Sequence, residues 1–266
     1  MSTVLRRNVS SNSRIFRRAS ALVVSIPKSG RTWVRVLMHH YLSEMEEVPF
    51  VLDGAELQRR GMPNVIFTHD LWEHRTTRSF KDRLRGKYLI SGRLCLHKPI
   101  VLLARDPRDV VVSLFFQMTK RTVQFRGTLS EMVRDPTYGI HLIVDVMNTW
   151  LASWEGRSNV KLFRYEDCRS EPTDTFDRMI RFMGFTLDRQ ALERSIEFAS
   201  FDNMKQMETD GRFESGVLRV SDPADAEAFK VRRGIVGGYQ EYLDREDLEY
   251  VQAALEKLDR RYGYNR

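Results

Sequence analysis

Four short apolar runs, at residues 21–26, 64–68, 99–104 and 159–165, each precede or adjoin a segment with apolar residues at helical spacing. Runs of this length, rich in Val, Ile and Leu, read as strands buried on both faces. Residues 32–42 set Trp33, Val36, Leu37 and Tyr41 on one face of a helix. Pro107 opens a second helix running to about residue 120, proline being well tolerated in a first helical turn. Residues 138–154, apolar on one side through Leu142, Val146 and Trp150, form a third, and residues 173–183, 189–198 and 245–261 complete the set. Strands that alternate with helices pack as a parallel sheet covered on both faces. The expected fold is α/β: a parallel sheet of four or five strands with helices on both faces. Ligands of such sheets bind at the carboxyl ends of the strands.

With 266 residues, 42% of them hydrophobic, the chain can bury one large core. A single domain over residues 21–266 is expected, preceded by a flexible basic arm over residues 1–20. Arg6, Arg7, Arg14, Arg17 and Arg18 have no acidic residue among them. That pattern is also found in transit peptides, but the first strand begins too soon after it to leave room for cleavage. The longest apolar runs fall far short of the roughly 20 residues of a membrane span. No signal-peptide core precedes residue 21, so a cytoplasmic location is expected. Cys95 and Cys168 make no disulfide framework and have no metal-ligand spacing, and the histidines form no metal cluster either. The net charge of +7 points to an anionic partner. Residues 208–238, with five glycines and weak periodicity, read as a lid or binding loop.

The segment VVSIPKSGRTW (residues 23–33) runs from a strand through Lys28-Ser29-Gly30 into a helix. A strand, a tight turn at Gly30 and a helix start present successive backbone N–H groups, which together bind anions. Lys28 adds a charge, and Ser29 and Thr32 add hydroxyl donors. The loop is P-loop-like, yet it departs from the Walker order because Lys28 precedes the glycine. In LLARDPRDVVVSLFF (residues 102–116), Arg105 ends a strand and Ser113 follows eight residues later. Eight residues is a little over two turns, so the two need not share a helix face. They can still converge on a phosphate lying across the helix start. On the residues alone, Arg105 paired with Asp106, and Ser113 facing the core, is an equally open arrangement.

Taken together, PKSG.TW and RDPRDVVVS resemble the two nucleotide signatures of the sulfotransferase family. FRYED (163–167) looks like its strand-ending Tyr-Glu-Asp, ASFDNMK (199–205) like its Ser-Phe-x-x-Met-Lys, and RRGIVGGY (232–239) like its glycine loop. The resemblance implies an enzyme that moves the sulfuryl group of 3′-phosphoadenylyl sulfate (PAPS) to a hydroxyl, with no metal. Lys28, Ser29, Gly30, Arg31, Thr32 and Trp33 would hold the 5′-phosphosulfate, with the Trp33 indole against adenine. Arg105 and Ser113 would hold the 3′-phosphate, an arginine fork meeting phosphate oxygens bidentately. Arg232, Arg233 and Gly234 would close over the same phosphate, and Tyr165, Ser200 and Phe201 would line the adenine pocket. In VIFTHD (65–70), His69 stands where the family carries its catalytic histidine, and Lys28 would steady the leaving oxygen.

The chain departs from the family pattern at several places. Phe67-Thr68-His69 replaces Lys-Thr-His, so a second lysine is missing. Arg31 stands where a small residue or Thr is common, Ala199 replaces a hydroxyl residue, and Gly238-Tyr239 replaces Asp-Trp. The dimer signature of some members is not readable, which leaves the oligomeric state open. A nucleotide kinase or ATPase would need Gly-Lys-Thr/Ser and a strand-ending Asp for Mg²⁺, where Arg105 stands instead. A non-catalytic polyanion binder would spread its charge along one face, whereas here the charges are mixed outside the arm and Arg59-Arg60. The acceptor expected is a small-molecule hydroxyl compound, with no nucleic acid.

Overall fold

The computed structural model describes residues 16–90, 97–211 and 234–265. Four strands, β1 (Ala21–Val24), β2 (Val65–Thr68), β3 (Ile100–Ala104) and β4 (Val160–Arg164), form one sheet in the order β2-β1-β3-β4. Every pairing is parallel, with Val23 opposite both Phe67 and Val101, and Ala104 opposite Arg164. The expected α/β sheet is present, and its two-residue period sorts the core. Leu22, Val24, Ile100 and Leu102 face one layer, with helices Pro107–Phe116, Ile140–Ser153 and Arg245–Leu255. Ala21, Val23, Val101 and Leu103 face the other, with helices Arg31–Met45, Pro172–Phe182 and Arg189–Phe198. Each buried Val, Leu or Ile contributes roughly 1.5–3 kcal/mol relative to exposure, so both layers are anchored on the same two strands.

Only β1 and β3 are buried throughout; β2 and β4 are half-buried. Both lie at sheet edges, where side chains reach solvent. Lys161 of β4 extends its ammonium over the rings of Phe163 and Phe182. The expected second helix ends at Phe116 and continues as a π-helical turn, Gln117–Arg121. The last apolar run stops at Arg164, and Tyr165 already opens the short helix Tyr165–Ser170. The short helices Gly54–Arg59, Leu71–Thr76, Phe80–Leu84, Leu129–Arg134 and Phe201–Thr209 hold too few turns to show a period. Of the basic arm, residues 1–15 lie outside the described residues. Phe16 and Ala19 are buried against the core, and the Ser20 amide donates to Asn64 O at 2.8 Å. Among the described residues no helix is long and apolar enough to cross a membrane.

The strand order locates the site. From β1 the chain crosses to β2 on one side, while β3 pairs on the other. The loops leaving β1 and β3 therefore open side by side at the carboxyl end, and a crevice forms where strand order reverses.

Candidate active site

The loop after β1 is shaped by two residues in the left-handed region, Lys28 at φ 72° and Gly30 at φ 86°. A Cβ on Gly30 would lie 2.5 Å from Tyr165 Cδ2, so glycine is required by backbone and by neighbour alike. The helix Arg31–Met45 starts immediately after it. Arg105, leaving β3, clamps this loop from the adjacent strand. Its Nη1 donates to Lys28 O at 3.1 Å and its Nη2 to Ile235 O at 3.1 Å, and its guanidinium lies 4.6 Å from the centre of the Tyr165 ring. Arg105 Nε is buried with no hydrogen-bond partner among the described residues.

Arg105, Asp109, Ser113 and Gln117 recur every four residues and all line one cavity. The eight-residue gap from Arg105 to Ser113 thus does not separate them. Asp109 is the knot: it lies 3.5 Å from Arg105 Nη2, and its carboxylate accepts the Gly237 and Tyr239 amides at 2.9 and 3.0 Å. Asp106, the other possible partner of Arg105, instead pairs with Arg108 at 2.7 Å. The C-terminal loop is thereby tied to the helix that carries Ser113. Gly234, at φ 63°, passes so close to Phe201 that a Cβ would lie 2.7 Å from its ring. Gln117, in the π-helical turn, accepts from Lys28 Nζ at 3.4 Å. Single π turns inside helices often occur at functional sites.

His69 follows the edge strand β2. Its Nδ1 lies 2.8 Å from Ser25 O, and a carbonyl only accepts, so the neutral ring carries its proton on Nδ1. Nε2 is then the acceptor nitrogen. Asp70 (φ 35°) holds the turn: Ile90 N donates to one carboxylate oxygen at 2.6 Å and Trp150 Nε1 to the other at 3.1 Å. Burial raises the Asp70 pKa, opposed by these hydrogen bonds. Burial, reinforced by the charge of Arg35, lowers Arg31 to about 9, with Glu73 opposing. Arg31 is still charged at neutral pH. His69 and Arg31 line, with Lys28, Arg105, Tyr165 and Phe201, a cavity of about 290 Å³.

The sequence matches the family described as the Sulfotransferase domain over residues 18–263. The chain belongs to the sulfotransferase family. Cytosolic sulfotransferase 13 of Arabidopsis thaliana is 25% identical over 246 residues, 85% of this chain and 72% of that protein. Human Sulfotransferase 4A1 is 26% identical over 255 residues, 86% of this chain and 78% of that protein. The crystal structure of mouse sulfotransferase SULT7A1 complexed with PAP superposes with a TM-score of 0.63 at 17% identity, covering 90% of this chain and 84% of that one. Retinol dehydratase in a complex with retinol and PAP gives 0.61 at 18%, covering 90% and 81%. Those likenesses establish a shared fold. The chain is a transferase that takes its sulfuryl group from PAPS.

Most sulfotransferase residues expected from the sequence meet in the cavity. Lys28, Gly30, Arg31, Thr32 and Trp33 line it from the first loop. His69, Arg105, Ser113, Tyr165, Phe201 and Gly234 line it from five other segments. Trp33 is pinned by its Nε1, which donates to Ala199 O at 2.8 Å, and it meets Tyr165 edge-on. Ser29 is buried beneath the loop, beside Leu102 and Trp150. Ser200 caps the helix Phe201–Thr209 by accepting from Asn203 N. Arg232 and Arg233 lie outside the described residues. Asp109, Gln117 and Arg169 also line the sulfotransferase cavity and were not singled out from the sequence. Spacing from Arg105 sets the first two on one four-residue stripe, but nothing in the sequence marks that stripe as facing the cavity. Arg169 sits four residues after Tyr165, its guanidinium 5.5 Å from the Trp33 ring.

Proposed function

We propose that the enzyme transfers the sulfuryl group to a hydroxyl of a small-molecule acceptor, with His69 as general base. The observation that carries this reading is the 2.8 Å contact of His69 Nδ1 with Ser25 O, in a ring that lines the same cavity as Lys28 and Arg105. The contact fixes ring and tautomer, so Nε2 takes the proton of the acceptor hydroxyl as oxygen bonds to sulfur. The donor fits the residues present. Lys28, Arg105 and Ser113 line one cavity, and Arg105 Nε is a buried donor with no partner among the described residues. When bound, the donor supplies an electrophilic sulfur and a nucleoside bisphosphate leaving group.

Lys28, Ser29, Gly30, Thr32 and Trp33 would hold its 5′ end, the backbone amides at the helix start meeting the anion. Arg105 and Ser113 would hold the 3′-phosphate, with Arg232, Arg233 and Gly234 over it. Tyr165, Phe201 and Ser200 would border the adenine, Ser200 by capping the helix that presents Phe201. Lys28 Nζ, oriented by Gln117, stands at the cavity where negative charge would build on the leaving oxygen.

The test is melting with 3′,5′-adenosine bisphosphate (PAP) against AMP, ADP and ATP at equal concentration. At about 100 times its dissociation constant PAP stabilises the fold by roughly 2.7 kcal/mol. Arg105→Ala removes the shift. His69→Ala keeps it and lowers sulfuryl transfer by roughly 10²- to 10⁴-fold. An equal shift with ATP sinks the reading.

A further inference from the structure

We propose that the acceptor is itself an anion, a hydroxyl compound whose carboxylate or sulfate is held by Arg31 at the His69 end of the cavity. The proposal rests on the reading of His69 as the base. Arg31 and His69 line the same cavity, and the groups acting on the Arg31 guanidinium are Arg35 and Glu73. Glu73 lies in the helix Leu71–Thr76, which leaves directly from the base. The Arg31 side chain therefore belongs to the acceptor wall, although its backbone N–H remains part of the helix start. That assignment differs from the one suggested by its place in the loop.

The charge of this wall is unbalanced. Arg31 and Arg35 are four residues apart on one helix, a like-charge arrangement that costs a helix stability. Among the described residues neither guanidinium has a carboxylate oxygen within 4.0 Å. Arg35 is held instead over the Phe67 ring, 4.9 Å from its centre, and Phe67 is the residue that replaces lysine two positions before the base. Glu73 stands against Arg31, while Lys87, which also acts on it, is paired with Asp82 at 3.1 Å. Asp70, next to His69 in the chain, accepts Ile90 N on one oxygen and Trp150 Nε1 on the other. Burial makes an unpaired arginine expensive, and burial is the largest influence on both Arg31 and Arg35. A ligand anion arriving beside His69 meets a planar fork that can bind it with two hydrogen bonds. A neutral acceptor leaves the excess charge in place.

The experiment compares matched acceptors that differ by one carboxylate: benzyl alcohol with 4-(hydroxymethyl)benzoate, and 2-naphthol with 6-hydroxy-2-naphthoate. The full chain is assayed for kcat/KM with each pair, and the pairs are also ranked by melting with PAP present. The wild type is expected to favour the carboxylate member at least tenfold and to show the larger shift with it. Arg31→Gln brings the ratio close to one while the shift given by PAP alone survives, and Arg31→Lys keeps part of the preference. Equal response to both members overturns the proposal. So does an Arg31→Gln variant that loses the PAP shift with the ratio unchanged, which would make the side chain a donor ligand. If PAP shifts nothing even in the wild type, the underlying reading falls and this one with it.

Discussion

Gly30 sits under two separate demands, and they can be pulled apart by mutation. Its φ of 86° costs a side-chain-bearing residue about 1–3 kcal/mol, and the Tyr165 ring occupies the space a Cβ would need. Gly61 shares the conformation, at φ 77°, but nothing lies within 4 Å of its would-be Cβ. Gly61→Ala is expected to lower the melting temperature and leave the PAP shift untouched. Gly30→Ala is expected to lower it and to abolish the PAP shift, because the displaced Tyr165 is also the platform beneath Arg105. Equal behaviour of the two variants in the PAP titration would refute that account.

The decisive link between elements is the Asp109 carboxylate, which binds the helix Pro107–Phe116 to the loop at Gly237 and Tyr239. Hydrogen bonds to a charged group are worth about 1.5–3 kcal/mol each. Asp109→Asn keeps one acceptor oxygen but loses the charge that also faces Arg105. We expect PAP affinity to drop roughly ten- to a hundredfold, with faster hydrogen exchange at the Gly237 and Tyr239 amides. Unchanged exchange there would show that the loop is held by other contacts. Elements of this kind also mark how far the sequence could be read. Lys28, Arg105 and His69 were legible because each is a reactive side chain directly after an apolar run, where a parallel sheet opens its ligand crevice. Asp109 was not, because an acid in a helix reads as a solvated surface residue until its loop partner, more than a hundred residues away, is known. Gln117 was hidden by the π-helical turn, which no spacing rule anticipates. The half-burial of β2 and β4 depends on strand order, which apolar runs alone do not encode.

At the scale of the whole molecule, acid stability should carry the mark of one buried ring. Burial, followed by the charge of Arg35, lowers His39 to about 4 from its usual 6.5. The folded chain then binds fewer protons than the unfolded chain between pH 6.5 and 4, so stability falls as pH falls through that window. The loss attributable to His39 is about 3 kcal/mol. His39→Phe is expected to flatten the decline in melting temperature between pH 7 and 4, and an identical slope in both proteins would rule the ring out. The sheet order has a longer reach. Lys28 and Arg105, the residues proposed to hold the donor, leave β1 and β3, the two strands buried from end to end, whereas His69, the proposed base, leaves the half-buried edge strand β2. On that assignment, substitutions along the edge strand reshape the acceptor wall while the donor loops stay anchored on the two buried strands.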